Sequence, residues 1–133
     1  MIGLLIVAHC LFGEELLKAA EFIIGKLELI DVVNLNQSID TEAIRNEIEQ
    51  KLSGLNQGKG VIILTDMFGG TPSNISLSFL KEGEIEVLTG VNLPMLLSIA
   101  ENRKKLSLTE LAVRAQKDAK NSISIASRLL NEE

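Results

Sequence analysis

Short aliphatic runs alternate along this chain with longer segments whose apolar residues repeat at the spacing of an amphipathic helix. Apolar runs of about four to eight residues are typical of buried strands, whereas a period near 3.6 over ten or more residues predicts a helix. Strands joined through helices pair in parallel by right-handed crossovers. The sequence therefore predicts an α/β fold with an open, doubly wound, mostly parallel sheet in the strand order 2-1-3-4.

Local signals in the sequence mark where the predicted elements begin and end. The apolar runs place four strands at residues 2–8, 29–35, 60–65 and 85–89. Helices are expected from about 14 to 27, from 41 to 52, and from 71, 94 and 107 onwards. Gly54 is the predicted stop of the second helix, and Thr71 with Pro72 is the predicted N-cap and first position of the third. Ser107 and Glu110 match a capping box ahead of a long final helix.

The composition fits one globular domain, expected to span residues 1–133. Hydrophobic residues make up 46% of the chain but aromatic residues only 3%, so the core must be built from Ile, Leu and Val. The net charge is −5, and the absence of a basic cluster argues against binding to nucleic acid. One cysteine excludes an intrachain disulfide. No charged region precedes the first apolar run, as a signal peptide would require, and we expect the protein in the cytoplasm.

Two ionisable residues stand where strands are predicted to end. His9, the one histidine of the chain, follows the first apolar run, and Asp66 follows the third. In the order 2-1-3-4 these strands are neighbours at the point where the strand order reverses, which is where ligands bind in open α/β sheets. A carboxylate on one imidazole nitrogen fixes the tautomer and leaves the other nitrogen free to attack. The sequence therefore predicts His9 and Asp66 as an active pair.

The loop after Asp66 is the candidate phosphate-binding segment. Gly69 and Gly70 offer backbone amides, and Thr71 and Ser73 offer hydroxyl groups, ahead of a predicted helix. Neither residues 9–15 nor residues 66–74 contain a Lys or Arg. A phosphate on His9 would therefore be held by amides and hydroxyls rather than by fixed cations. Such weak binding suits a group that must be handed on.

Other chemistries are disfavoured by missing residues. The chain has neither a G-x-G-x-x-G loop after the first strand nor a P-loop motif. A phosphatase-type role for Cys10 would want an arginine where Leu16 stands, and one His beside one Cys is a poor zinc site. A hydrolase with His9 as base lacks an evident nucleophile. We therefore expect no metal and no cofactor.

Three segments closely resemble the enzyme IIA (EIIA) domain of the mannose/fructose/sorbose class of the bacterial phosphoenolpyruvate-dependent phosphotransferase system (PTS). They are I-V-A-H at 6–9, L-T-D-M-F-G-G-T-P-S-N at 64–74 and T-G-V-N-L-P-M at 89–95, and the resemblance covers essentially the whole chain. It implies that His9 accepts a phosphoryl group from the carrier protein HPr and passes it to a histidine of the IIB component. It also implies that Asp66 orients the imidazole, that Nε2 is the phosphorylated nitrogen, and that contact with the membrane is only indirect, through transporter components.

Two points leave the resemblance incomplete. Cys10 stands where the family pattern favours glycine, and no IIB-like segment follows residue 133, so a separate IIB polypeptide is expected as acceptor.

The family usually forms homodimers that exchange a terminal antiparallel strand. Residues 122–125 alternate in a strand-like way, although the long helix before them argues against a strand. A regulatory protein, whose phosphorylated His9 signals carbon supply to a partner, remains the alternative to a transport component.

Overall fold

The computed structural model describes residues 1–36 and 40–131. Four strands and six helices are found within them. The strands are β1 (Gly3–His9), β2 (Ile30–Leu35), β3 (Val61–Thr65) and β4 (Ile85–Thr89). The helices are α1 (Phe12–Ile24), α2 (Thr41–Leu55), α3 (Thr71–Leu77), α4 (Leu93–Asn102), α5 (Leu108–Asn121) and α6 (Ala126–Asn131).

The strands form one parallel sheet in the order β2-β1-β3-β4, which confirms the predicted topology. β1 lies at the centre, where Val7 is aligned with Val33 of β2 and with Thr65 of β3. Because β1 and β3 are neighbours and both run toward the same edge, the residues that follow them meet at that edge.

Helices cover both faces of the sheet, and the side chains of β1 alternate between two aliphatic cores. Leu4 and Ile6 belong to the core that includes residues of α4 and α5. Leu5 and Val7 belong to the core that includes Ile48 of α2 and residues of β3 and α3. Side chains of a strand point alternately to opposite faces, so a strand buried on both sides must be apolar throughout.

Gly13 sets how closely α1 packs on the sheet. A Cβ atom at this position would lie 2.9 Å from side-chain carbons of both Ile6 and Val32. The first turn of α1 therefore rests directly on β1 and β2. This packing fixes the position of the short connection between β1 and α1, which follows His9.

The observed helix ends correct two of the predictions. α2 continues through Gly54 to Leu55 and is capped by Asn56, so Gly54 does not stop the helix. The N-cap of α3 is Gly70 rather than Thr71, and the Thr71 hydroxyl makes no capping hydrogen bond. The capping box is confirmed, because Ser107 accepts from the Glu110 backbone and Glu110 accepts from the Ser107 backbone.

The C-terminal segment, residues 122–131, lies apart from both cores. Residues 123–125 form no strand within the described chain, and α6 has no buried residue. Ile123 and Leu130 are 77% and 81% exposed. The strand suggested by the alternation at 122–125 therefore does not form within a single copy of the chain.

No helix in the described ranges combines the length and the apolar character that crossing a bilayer demands.

Candidate active site

His9 and Asp66 meet at the carboxyl edge of the sheet, as the sequence predicts. His9 is the last residue of β1, and Asp66 follows the last residue of β3. The Nδ1 atom of His9 lies 2.7 Å from Oδ2 of Asp66. Since a carboxylate accepts hydrogen bonds, this contact favours a proton on Nδ1 and leaves Nε2 with the free lone pair.

Backbone hydrogen bonds fix the Asp66 carboxylate beside His9. The N–H of His9 donates to Oδ2 of Asp66 at 3.0 Å, and the N–H of Met67 donates to Oδ1 at 3.0 Å. Each carboxylate oxygen of Asp66 therefore accepts a backbone hydrogen bond, in addition to the contact that Oδ2 makes with the imidazole. The Asp66 side chain is 14% exposed and that of His9 is 46% exposed, so a well-held carboxylate supports an accessible imidazole.

These contacts keep Asp66 ionised. Partial burial raises the pKa of Asp66, but hydrogen bonds from the His9 backbone and side chain lower it further, and the resulting pKa lies below the ordinary value of 3.8. Asp66 therefore carries its negative charge at neutral pH, where it can stabilise a positive charge on the imidazole.

The turn after His9 depends on an unusual backbone conformation. Cys10 has a φ of 51°, in the left-handed region that favours glycine, and its N–H donates to the carbonyl of Leu35 at 2.6 Å. This turn sends the chain from β1 into α1 and leaves the His9 side chain at the edge of the sheet. A glycine at this position would adopt the same conformation without strain.

The four candidate phosphate-binding residues are not equally placed. Gly70 lies close to the imidazole, since a Cβ atom there would lie 3.1 Å from Cε1 and 3.7 Å from Nε2 of His9. Gly69 and Thr71 are exposed on either side of it. The Ser73 hydroxyl is fully buried and has no hydrogen-bond partner among the described residues.

Exposed apolar side chains lie on the two segments that follow His9 and Asp66, where the sequence predicts no function for them. Leu11 and Phe12 follow His9, and Met67 and Phe68 follow Asp66; Phe68 is 72% exposed. These residues precede the predicted helix starts at about 14 and 71, where no local pattern indicates whether an apolar side chain points to solvent. Their exposure makes this edge of the molecule suited to contact with a protein.

Comparison with known proteins identifies the family. The family model EIIA-man, described as the PTS system fructose IIA component, matches residues 3–116. The chain belongs to this family. It is accordingly an EIIA component of the phosphotransferase system, with a role in sugar phosphotransfer. The matched residues include both His9 and Asp66.

Individual relatives agree with the assignment. The chain is 28% identical over 131 residues to the fructose-specific EIIA component of Bacillus subtilis, a match that covers 98% of this chain and 90% of the relative. It is 33% identical over 96 residues to the mannose-specific EIIAB component of Escherichia coli K12. That match covers 71% of this chain but 30% of the relative, so the chain corresponds to only a part of that longer protein.

A solved structure shares the fold. The EIIA component from Streptococcus agalactiae superposes with a TM-score of 0.88 at 27% identity, over 96% of this chain and 99% of that one. The EIIA architecture therefore extends over nearly all of the chain.

Proposed function

We propose that this EIIA component is a phosphoryl relay of phosphoenolpyruvate-dependent sugar uptake. His9 accepts a phosphoryl group from phospho-HPr and passes it to a histidine of a separate EIIB component. The observation that carries the proposal is the 2.7 Å contact between Nδ1 of His9 and Oδ2 of Asp66. It supports an accessible Nε2 nucleophile backed by a fixed negative charge.

The transfer step follows from this arrangement. The lone pair on Nε2 of His9 attacks the phosphorus atom, while the bond from phosphorus to the donor imidazole breaks and its electron pair returns to the donor nitrogen. The imidazole of His9 gains positive charge as the new bond forms, and Asp66 stabilises that charge through Nδ1. Passing the group to the acceptor histidine reverses these roles.

The phosphate on Nε2 would be held without a cation from the adjacent loops. Backbone amides of Gly69 and Gly70 and the hydroxyl of Thr71 lie on the loop beside the imidazole, and residues 66–74 contain no Lys or Arg. The buried Ser73 hydroxyl can reach the phosphate only if this loop opens. Weak intrinsic binding favours release of the phosphoryl group to the next protein, which can supply positive charge during transfer.

The exposed apolar side chains beside the pair provide the docking surface for HPr in this proposal. Leu11, Phe12, Met67 and Phe68 are each more than 40% exposed. Burying such side chains against a partner is favourable and excludes water from the reacting atoms. EIIB would occupy the same surface in turn, because the reacting imidazole must be reached by both partners.

We also propose that residues 1–133 act as one cytoplasmic EIIA unit that forms a homodimer. β4 is an edge strand whose five residues are only half-buried, and residues 122–131 carry exposed Ile and Leu side chains. An open strand edge and an unpacked apolar segment in one chain favour association with a second copy. A strand exchanged between the two copies would pair with the open edge of β4 and would bury apolar side chains of residues 122–131.

The relay is tested by incubating the protein with phosphoenolpyruvate, enzyme I and HPr, followed by intact-mass analysis. We expect one acid-labile phosphoryl group on the wild type and none on His9→Ala. The phosphorylated protein, once purified, should then lose the group to an EIIB component. Retention of the group with every EIIB component of the same cell would favour the regulatory alternative. Absence of any phosphoryl group, with HPr phosphorylated, would reject the relay.

A further inference from the structure

A second candidate site lies at the opposite, amino-terminal edge of the sheet. An open groove of about 740 Å³ is formed there by the segment before β1, the loop before β3 and the connection between α4 and α5. Its volume lies within the range of small-ligand sites, roughly 300–1,000 Å³. β1 has seven residues, so the groove is about 20 Å from His9 at 3.3 Å per residue. It is therefore separate from the candidate active site.

The groove gathers positive charge in an acidic chain. Lys59, Lys104 and Lys105 line it, and no Asp or Glu is among its lining residues. None of these three lysines forms an ion pair within the described ranges. Arg103, Lys104 and Lys105 are adjacent in the sequence, and the fold adds Lys59 to the lining of the same groove.

Arg103 adds a fixed charge behind the lysines. Its side chain is 3% exposed and donates to the carbonyls of Ile2, Glu28 and Leu29. These carbonyls satisfy its hydrogen bonds but carry no formal charge, and Arg103 forms no salt bridge within 4 Å among the described residues. Glu28 is not among the lining residues of the groove, but it lines a neighbouring depression together with Lys26, Arg103 and Lys104 and interacts electrostatically with Arg103.

Apolar and small groups complete the groove. Ile2, Leu106 and Leu108 contribute apolar surface, and Gly58 and Gly83 leave the backbone accessible. Lysines act as mobile point charges for phosphate, while an apolar wall can accept the carbon part of a ligand. A few cations around a small volume fit a compact anion better than a nucleic acid, which needs an extended row of phosphate contacts.

We propose that this groove binds a small organic phosphate, with Lys59, Lys104 and Lys105 as the phosphate-binding residues. The proposal does not depend on the phosphoryl relay, because the groove shares no residue with the site around His9. Binding there would let a phosphorylated metabolite act on the protein without competing with HPr for the edge that carries His9.

The test is a titration of the unphosphorylated ¹⁵N-labelled protein with glucose 6-phosphate, followed by amide chemical shifts. We expect saturable shifts at residues 58–59 and 104–107, no such shifts at 9–11 or 66–70, and weaker binding at higher salt. Inorganic phosphate in a parallel titration separates recognition of the whole ester from recognition of the phosphate alone. Glucose is the uncharged control and should cause no saturable shift.

Variants decide whether the lysines are responsible. The double variant Lys104→Gln/Lys105→Gln should weaken binding by about tenfold or more, since each lost charged contact is worth a factor of this order. The matched control Lys117→Gln/Lys120→Gln removes the same charge from exposed positions of α5 and should bind within about twofold of wild type. No saturable shift with either phosphate compound, shifts centred on His9, or equal weakening by both double variants would overturn the proposal.

Discussion

Asp66 acts on His9 through both the backbone and the side chain of the histidine. One carboxylate oxygen accepts from the backbone N–H and contacts Nδ1, and the other accepts from the N–H of Met67. An imidazole on a rotatable side chain is thereby fixed in one orientation and one tautomer. Orientation of this kind is a large part of what a protein contributes to group transfer.

The lowered pKa of Asp66 predicts how its stabilising effect depends on pH. Its folded pKa is below the ordinary 3.8, so the ionised carboxylate stabilises the fold above that pH, and the contribution is lost as pH falls through the folded pKa. The free energy of unfolding of wild type, measured with urea, should exceed that of Asp66→Asn near pH 5 by more than it does near pH 2. A difference that stays constant over this range would contradict the assignment.

The position of Gly70 predicts that a larger side chain there would crowd the imidazole beside Nε2. An added Cβ would lie 3.1 Å from Cε1 of His9, and Asp66 prevents the ring from turning away. Gly70 has a negative φ, so alanine strains no backbone there. Gly70→Ala should slow phosphorylation by phospho-HPr by roughly tenfold while the fold is retained.

The matched control for Gly70→Ala is Gly54→Ala, which makes the same change far from the site. A Cβ at Gly54 meets nothing within 4 Å. Phosphorylation of this control should proceed at the wild-type rate. Equal rates for wild type and Gly70→Ala would show that the close approach at Gly70 does not matter.

At the residue scale, the pair was predictable from sequence and its surroundings were not. His9 and Asp66 each follow an uninterrupted aliphatic run, and such runs end at the edge of a sheet where polar residues can be exposed. The left-handed conformation of Cys10 and the burial of Ser73 depend on how the loops pack. No local sequence pattern records that packing.

At the scale of elements, strands were located better than helix ends. Each strand is a short aliphatic run, and β4 has the predicted bounds Ile85–Thr89. Helix ends depend on competition between weak signals. Gly54 lies inside α2 because Leu55 gains burial against the sheet when the helix continues by one residue.

Gly54 consequently offers a stabilising substitution in α2. It is the penultimate residue of α2 with open space around its α-carbon, where glycine costs at most the roughly 0.5–1 kcal/mol relative to alanine that applies to a helix interior. Gly54→Ala should raise the free energy of unfolding by up to that amount, measured by urea denaturation. A decrease would mean that Gly54 has a neighbour, such as a second copy of the chain, that alanine displaces.

At the scale of the whole molecule, long-range contacts join segments that sequence patterns treat separately. Arg103 donates to the carbonyl of Ile2 before β1, 101 positions away along the chain, and to that of Glu28 before β2, 75 positions away. The groove likewise combines residues from separate connections. Strand order was predictable because crossover rules and the family resemblance restrict it, whereas these clusters appear only when the chain is folded.

The proposed homodimer makes a prediction at the same scale. Light scattering should give the mass of two chains for the wild type. Replacing exposed Ile123 and Ile125 together by lysine should give monomers, because charges cannot be buried against a second copy without a partner. Val113→Lys, an equally exposed position on α5, is the matched control and should remain dimeric. A monomeric wild type would reject the homodimer.

The central claim, that Nε2 of His9 carries the phosphoryl group, is tested most directly by NMR. The protein is labelled with ¹⁵N in the histidine ring, phosphorylated with phosphoenolpyruvate, enzyme I and HPr, and examined for coupling between ³¹P and a ring nitrogen. Because Nδ1 contacts Asp66 at 2.7 Å, the account predicts coupling to Nε2 alone. Coupling to Nδ1, or phosphorus bound to a group other than His9, would contradict it.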